Sequence, residues 1–164
     1  MPEHLQDILS RAQKGLRRGR CNVKWVEQDN LHITLRFIGD TPRAQVQQYI
    51  EVGQRVASRC QSFEADIAGI GAFPHPGHPK VLWAGVDHGE QDVERLYHAL
   101  SEELEQAGLV EPEERPFTAH CTLGRVRSKN TGKLTQILGR AEEAEIGSMQ
   151  CDGFSLISSK LTSS

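Results

Sequence analysis

The sequence lacks the features that mark membrane-spanning and disulfide-stabilised proteins. No apolar run approaches the roughly 20 residues that a transmembrane helix needs. The N-terminal Met-Pro-Glu-His opens no signal-peptide pattern. The cysteines are few and dispersed, with no Cys-x-x-Cys pair: Cys21, Cys60, Cys121 and Cys151. We therefore predict reduced thiols in a cytoplasmic protein with no membrane partner.

The chain also lacks an excess of positive charge. Its 19 Lys and Arg are outnumbered by 22 Asp and Glu, which gives a net charge of -3, so the overall charge does not require a nucleic-acid partner. The basic residues are nevertheless clustered, one group between Arg11 and Lys24 and another between Arg125 and Lys133. Two interpretations stay open, because such patches either bind phosphate-rich ligands or are simply solvated surface.

Hydrophobic periodicity indicates helices and strands within one domain, since no linker composition divides the 164 residues. Apolar spacing predicts helices over residues 2–16 and 91–107, a third after Thr41-Pro42, and a short one around 134–138. The predicted strands cover residues 23–26, 31–38, 63–67, 81–86, a segment from 120, 144–151 and 154–157. Residues 72–79 contain three prolines and a glycine, which predicts a loop. The mixture predicts an α+β fold.

Two predicted strands carry the same tetrad, His-x-Thr-Leu: His32-Ile33-Thr34-Leu35 and His120-Cys121-Thr122-Leu123. Side chains alternate between the two faces of a strand, so the histidine and threonine of each tetrad share one face while the apolar residues point to the core. Each tetrad is followed by a turn, an amphipathic helix and a further strand, which favours two similar lobes. Two such strands brought together would surround one small anion with two imidazoles and two hydroxyls.

This constellation suits phosphoryl chemistry without a metal. Free imidazole has a pKa of about 6.5, so at neutral pH one ring can be neutral and the other protonated. Such a base and acid each contribute ~10²–10⁴-fold in rate, while threonine hydroxyls and arginine guanidinium groups hold phosphate oxygens. Arg36 shares the face of His32 in a regular strand. Arg125 has the opposite parity from His120 and reaches the cleft only if the chain bends at Gly124.

A structural explanation of each histidine stays open, because a single histidine in a strand is usually hydrogen-bonded or exposed. The repetition of the tetrad favours function. His75 and His78 lie in the proline-rich loop without cysteine or carboxylate ligands nearby, so we predict no metal site there. Phe117 is either a base-stacking residue or a buried anchor, and Trp83 is most simply a core residue.

The residues around both tetrads resemble a known family. The matching stretches are Trp25-Val26 and residues 30–39, 71–74, 79–83 and 115–125. On these stretches the chain resembles the 2H phosphoesterase superfamily, and within it the bacterial and archaeal RNA 2′,3′-cyclic phosphodiesterases also described as 2′-5′ RNA ligases. The resemblance runs from Trp25 to Leu161.

The resemblance implies a bilobal α+β fold, with two pseudo-symmetric antiparallel-sheet lobes, helices outside and a central cleft. It also implies metal-independent, cofactor-free hydrolysis of RNA 2′,3′-cyclic phosphate ends to a 2′-phosphate. His32 and His120 are then the catalytic pair, with His120 favoured as the base. Thr34, Thr122 and Arg125 are carried over as phosphate-binding residues. Arg36 stays a second arginine candidate for binding substrate, and we expect a monomer.

Two features of the sequence differ from the family pattern. Family members carry a strand before the first helix and another after the position of Leu161-Thr162, and we expect this single domain of residues 1–164 to lack both. Ala119 stands where the family often has proline. Two alternative functions stay open: binding of nucleotides or RNA ends without catalysis, or reaction at 2′-5′ or other linkages with the same histidine pair.

Overall fold

The computed structural model describes residues 1–159, which fold around one antiparallel sheet. Its five strands lie in the order β1-β4-β3-β2-β5. The strands are β1 Val23–Trp25, β2 Phe63–Phe73, β3 Val81–Val86, β4 His120–Val126 and β5 Glu145–Cys151. The α-helices are α1 Glu3–Leu16, α2 Val46–Ala57, α3 Glu90–Gln106 and α4 Gly132–Leu138, with 3₁₀ turns at Arg17–Gly19, Gln28–Asn30 and Arg43–Gln45. The α+β prediction is confirmed. Within residues 1–159, no helix has the length and hydropathy that crossing a membrane requires.

The main core lies between the sheet and helices α1 and α4. Leu5, Leu9 and Leu16 are buried because they recur at helical spacing along one side of α1. The apolar side of α4 joins the same cluster, which includes Leu82 and Ala84 of β3. The two helices therefore cover the face of the sheet that carries Leu82 and Ala84.

A buried glutamine ties α1 to the edge of the sheet near the second tetrad. Gln13 is 4% exposed, and its Nε2 donates hydrogen bonds to the carbonyl oxygens of Val26 at 2.8 Å and Leu123 at 2.9 Å. Buried carbonyl groups need such partners. The amide thus fixes the helix over the point where the chain leaving β1 runs beside β4.

A second, smaller hydrophobic cluster packs α2 against α3. Its buried members are Tyr49, Val52, Val56, Leu100 and Leu104. The Tyr49 hydroxyl donates a hydrogen bond to the carbonyl oxygen of Leu109 at 2.6 Å, which holds the chain after α3 against α2. Leu35, the last residue of the first tetrad, and Ile38 after it both pack against this cluster.

Two predicted strands are corrected by the structure. Residues 31–38 form no regular strand, and within the described chain their only ladder contact is a bridge at Ile33. Residues 154–157 are also outside any strand, because Phe154 packs on the smaller cluster while Ile157 stays 76% exposed. Residues 1–159 therefore hold one sheet, and the expected pair of pseudo-symmetric sheet lobes is not seen. The position after Leu161-Thr162, where we expect the family's last strand to be missing, lies outside the described residues.

Candidate active site

The two tetrads meet through a single antiparallel bridge between Ile33 and Cys121. Residues that flank such a bridge lie opposite one another, so His32 is set opposite Thr122 and Thr34 opposite His120. Cys121 is fully buried, whereas His32 and Thr34 are exposed. The bridge therefore turns the apolar residues of both tetrads into the core and all four polar side chains to the other side.

Both histidine rings are held in the same way by the backbone. Nδ1 of His32 donates a hydrogen bond to the carbonyl oxygen of Asn30 at 2.7 Å, and Nδ1 of His120 donates one to the carbonyl oxygen of Thr118 at 2.7 Å. A carbonyl oxygen can only accept, so the proton of each neutral ring lies on Nδ1. Nε2 is consequently the nitrogen that each ring can use to accept or deliver a proton.

The two Nε2 atoms differ in their partners. The Thr34 hydroxyl lies 3.0 Å from Nε2 of His32, and it donates its proton when that ring is neutral. Nε2 of His120 makes no hydrogen bond with any residue in 1–159. The His32 ring is thus hydrogen-bonded to the Thr34 hydroxyl, whereas Nε2 of His120 has a free lone pair on the same side of the sheet.

A β-bulge brings Arg125 to the same face as the second tetrad. Trp83 pairs with Thr122 and Leu82 with Gly124, so Leu123 is an extra residue in β4. Arg125 then pairs with Val81, and paired residues share a face. Since Val81 and Trp83 alternate with the buried Leu82, Arg125 lies on the face of Thr122 and His120. We call the face of the sheet that carries His120, Thr122 and Arg125 the cleft face. The irregularity that brings Arg125 to this face is the bulge at Leu123, and not a bend at Gly124.

Two aromatic residues stand beside His120 on the cleft face. The ring of Phe73 meets that of His120 edge-on, with centroids 5.1 Å apart and planes at 83°. Phe73 also packs against Trp83, at 5.3 Å between centroids. The Trp83 ring lies over Gly71, where a Cβ atom would come within 2.3 Å of it. Glycine at this position therefore leaves room for the Trp83 ring, which packs against Phe73 beside His120.

Cys121, between the polar residues of the second tetrad, is an inert thiol. Burial raises the pKa of Cys121 to about 12, opposed in part by the backbone N–H of His32. A thiol with such a pKa stays protonated at neutral pH and is a poor nucleophile. The cysteine therefore packs the bridge and takes no part in chemistry.

Comparison with known proteins identifies the family. The family model for LigT-like phosphoesterases matches residues 1–83 and 86–164. An RNA 2′,3′-cyclic phosphodiesterase of Methanothermobacter thermautotrophicus is 35% identical over 163 residues, which cover 99% of this chain and 87% of that protein. One from Archaeoglobus fulgidus is 36% identical over 144 residues, covering 88% and 78%. The chain belongs to the LigT-like phosphoesterases, within the 2H family.

Solved structures share the LigT-like fold. A crystal structure of TT0787 from Thermus thermophilus matches with a TM-score of 0.69 and 26% identity, over 94% of this chain and 78% of that one. E. coli LigT in complex with 3′-AMP also gives a TM-score of 0.69, at 19% identity, over 92% and 78%. The single sheet and four helices are therefore an arrangement found in LigT-like phosphoesterases.

Arg36, which we predict as a second substrate-binding arginine, contacts α3 and the chain after that helix. The side chain of Arg36 is 7% exposed and 3.6 Å from the carboxylate of Glu105. Its Nη2 donates a hydrogen bond to the carbonyl oxygen of Glu111. Its Nε and Nη1 are buried and have no hydrogen-bond partner among residues 1–159. The backbone bends at Leu35, and the Arg36 side chain lies against α3 and the chain that follows it.

Sequence reasoning gave Phe73 no role and placed Trp83 in the core. Phe73 was missed because the prolines of residues 72–79 predict a loop there, whereas β2 continues to Phe73. Trp83 lies in a strand as predicted, but on the face opposite the buried Leu82. The stacked position of Phe117 on Tyr97, with centroids 4.1 Å apart, agrees with the anchor interpretation of Phe117. The spacing of Gly71 and Phe73 opposite Trp83 and Val81 is the signal that could have revealed the aromatic pair.

The residues described by the structure contain no group of three or more His, Cys, Asp and Glu side chains placed to hold a metal ion. His75 and His78 lie in the exposed loop between β2 and β3, where the backbone N–H of His78 donates to the carbonyl oxygen of His75 at 3.0 Å. The cleft face carries the two imidazoles, the two threonine hydroxyls and the Arg125 guanidinium group, and Lys24 of β1 pairs with Arg125 on the same face.

Proposed function

We propose that this LigT-like phosphoesterase hydrolyses RNA 2′,3′-cyclic phosphate ends to 2′-phosphate ends by metal-independent acid and base catalysis. The observation that carries the proposal is the Ile33–Cys121 bridge, which sets two rings with the same Nδ1 anchor on one side of the sheet. The curated relatives at 35% and 36% identity are named RNA 2′,3′-cyclic phosphodiesterases, which supports the substrate class.

His120 acts as the general base. Its Nε2 has a free lone pair, and the Thr118 carbonyl holds the proton on Nδ1. This nitrogen takes a proton from a water molecule while the water oxygen forms a bond to phosphorus. The edge contact with Phe73 limits the tilt of the ring during this transfer.

His32 acts as the general acid. In its protonated form, Nε2–H points to the Thr34 hydroxyl or to the departing oxygen, since the Asn30 carbonyl still occupies Nδ1–H. As the bond from phosphorus to O3′ breaks, the proton moves from Nε2 to O3′. The products are a 3′-hydroxyl and a 2′-phosphate, and a proton exchange with solvent restores both rings.

Thr34, Thr122 and Arg125 bind the non-bridging oxygens. The bridge register, in which each threonine lies opposite the histidine of the other tetrad, and the bulge at Leu123, which puts Arg125 on the same face, support this role. Arginine contacts to phosphate are charge-assisted and strengthen as negative charge builds in the transition state.

The protein is proposed to act in the cytoplasm. Its four free cysteines suit that compartment, where thiols stay reduced.

The test is an RNA oligonucleotide with a 2′,3′-cyclic phosphate end, incubated with the protein and a chelator, followed by mapping of the product end. We expect a 2′-phosphate. A 3′-phosphate product would contradict the leaving-group assignment, and tight binding without turnover would favour a binding protein. His75→Ala is the matched control, because His75 is an exposed histidine of the β2–β3 loop.

A further inference from the structure

We propose that a basic rim at the end of β4 binds the backbone phosphates of the RNA strand upstream of its cyclic end. The rim is defined by Arg20, Lys80, Arg127, Lys129 and Lys133. The inference rests on the proposed function, because it assigns to the same substrate a second contact area outside the cleft face.

The rim is concave. Two adjoining cavities of about 360 Å³ and 350 Å³ flank the chain after β4. Arg20 and Lys133 line the first cavity, Lys80 and Arg127 line the second, and Lys129 lines both. Five cationic side chains thus converge on two neighbouring depressions, a shape that can receive successive phosphates of one strand.

The rim is positively charged, whereas the chain as a whole is negatively charged. No Asp or Glu lines either cavity, although the chain carries a net charge of -3. Within residues 1–159, the five rim cations form no ion pair, whereas Arg55, Arg59 and Arg115 each contact a carboxylate. Close cations without carboxylate neighbours repel one another, and an anionic ligand relieves that repulsion.

The backbone of the rim is held in place before any ligand binds. The N–H of Arg127 donates to the Asn22 carbonyl at 2.7 Å, and the N–H of Asn22 donates to the Ser128 hydroxyl at 2.6 Å. Thr135 of α4 donates to the Pro76 carbonyl at 3.1 Å, which ties the β2–β3 loop to the same region. A preformed cationic surface loses less entropy on binding than a flexible one.

The rim is connected to the cleft face along β4. Arg125 lies on the cleft face opposite Lys24 of β1, and Arg127 follows two residues later. At about 3.3 Å of rise per strand residue, the end of β4 lies roughly 20 Å from His120. A mononucleotide held at His120 cannot span that distance, whereas an oligonucleotide can. The rim therefore distinguishes RNA ends from free cyclic nucleotides.

The experiment compares a cyclic mononucleotide with an octanucleotide that ends in a 2′,3′-cyclic phosphate. For Lys129→Glu, we expect the KM of the octanucleotide to rise about tenfold with kcat unchanged, since a phosphate contact becomes a repulsion. The salt dependence of kcat/KM for the octanucleotide should lose roughly 0.7 of slope per lost contact. The mononucleotide should keep its kcat/KM within about twofold.

Lys14→Glu is the matched control, with the same charge change on the exposed side of α1. We expect it to leave both substrates unaffected. Equal octanucleotide KM values in wild type and Lys129→Glu would overturn the proposal, as would an equal rise in Lys14→Glu. Binding of an octanucleotide with a plain 3′-hydroxyl, followed by fluorescence anisotropy, separates the two claims. If the wild type turns over no cyclic phosphate, the proposed function fails, and weaker binding by Lys129→Glu still supports the rim.

Discussion

The two histidine motifs are alike at the side-chain level and unlike at the backbone level. His120 begins β4 and pairs with Gly85 of β3 on one side, with the Ile33 bridge next to it on the other. His32 lies in a segment with no regular strand, held by that one bridge. Yet each ring donates Nδ1–H to a carbonyl two residues earlier, at 2.7 Å in both cases. Equivalent ring placement therefore comes from the local carbonyl, and does not require equivalent strands.

The largest expected effect comes from removing either ring. His120→Gln and His32→Gln should each lower kcat by ~10²–10⁴-fold, because each removes one of the two proton transfers. Steady-state kinetics with a cyclic-phosphate oligonucleotide checks this. His75→Gln should keep full activity, and a His32→Gln variant as active as the wild type would end the acid assignment.

A substrate with sulfur in place of O3′ separates the two roles. A thiolate leaves without protonation, so His32→Gln should recover most of its activity on this substrate, whereas His120→Gln should keep its full loss. Equal recovery by both variants, or recovery by His120→Gln alone, would show that the base and acid assignments are wrong.

The unequal backbone support predicts unequal amide exchange. We expect the amides of residues 34–37 to exchange at least about tenfold faster than those of β4, since exchange follows local opening and only β4 is paired on both sides. Hydrogen–deuterium exchange read by NMR measures both segments in one experiment. Comparable protection in the two segments would mean that the first motif is paired as fully as the second.

The two arginines near the motifs should respond in opposite ways. Arg36→Met should lower the free energy of unfolding by about 2 kcal/mol, because it removes a nearly buried guanidinium from Glu105 and the Glu111 carbonyl. Denaturant unfolding measures this loss, and KM should change little. Arg125→Met should raise KM and leave stability intact, since Arg125 is exposed. An Arg36→Met variant with unchanged stability and a raised KM would show that Arg36 binds the substrate.

The last prediction concerns the Cys121 thiol inside the bridge, whose effect is confined to alkaline pH. Since burial raises the pKa of Cys121 to about 12 in the folded protein, its contribution to stability is constant below about pH 9, the range of an unfolded thiol, and falls as the pH rises toward 12. Cys121→Ala should flatten this alkaline decline in denaturant unfolding. Cys60→Ala is the control, because Cys60 is exposed. If stability declines as steeply in Cys121→Ala as in the wild type, groups other than Cys121 cause the decline.

Periodicity accounts for what could be predicted. The helices and β4 follow from apolar spacing, and the tetrads identify the two histidines and two threonines of the cleft face. Arg125 could not be placed, because one extra residue at Leu123 reverses the parity of everything after it. The contacts of Arg36 with Glu105 and Glu111 could not be predicted either, because the backbone bends at Leu35 and regular strand geometry does not continue to Arg36. The local pattern of apolar and polar residues does not show at which residue strand pairing becomes irregular or ends.

The most direct test of the account is the response of both rings to one phosphate. Uridine 2′-monophosphate, titrated into protein with ¹⁵N-labelled histidine, should shift the Nε2 signals of His32 and His120 together, with one dissociation constant. The Nδ1 protons should stay in place on both rings. A shift of only one ring, or two shifts with different dissociation constants, would contradict a shared phosphate between the two motifs.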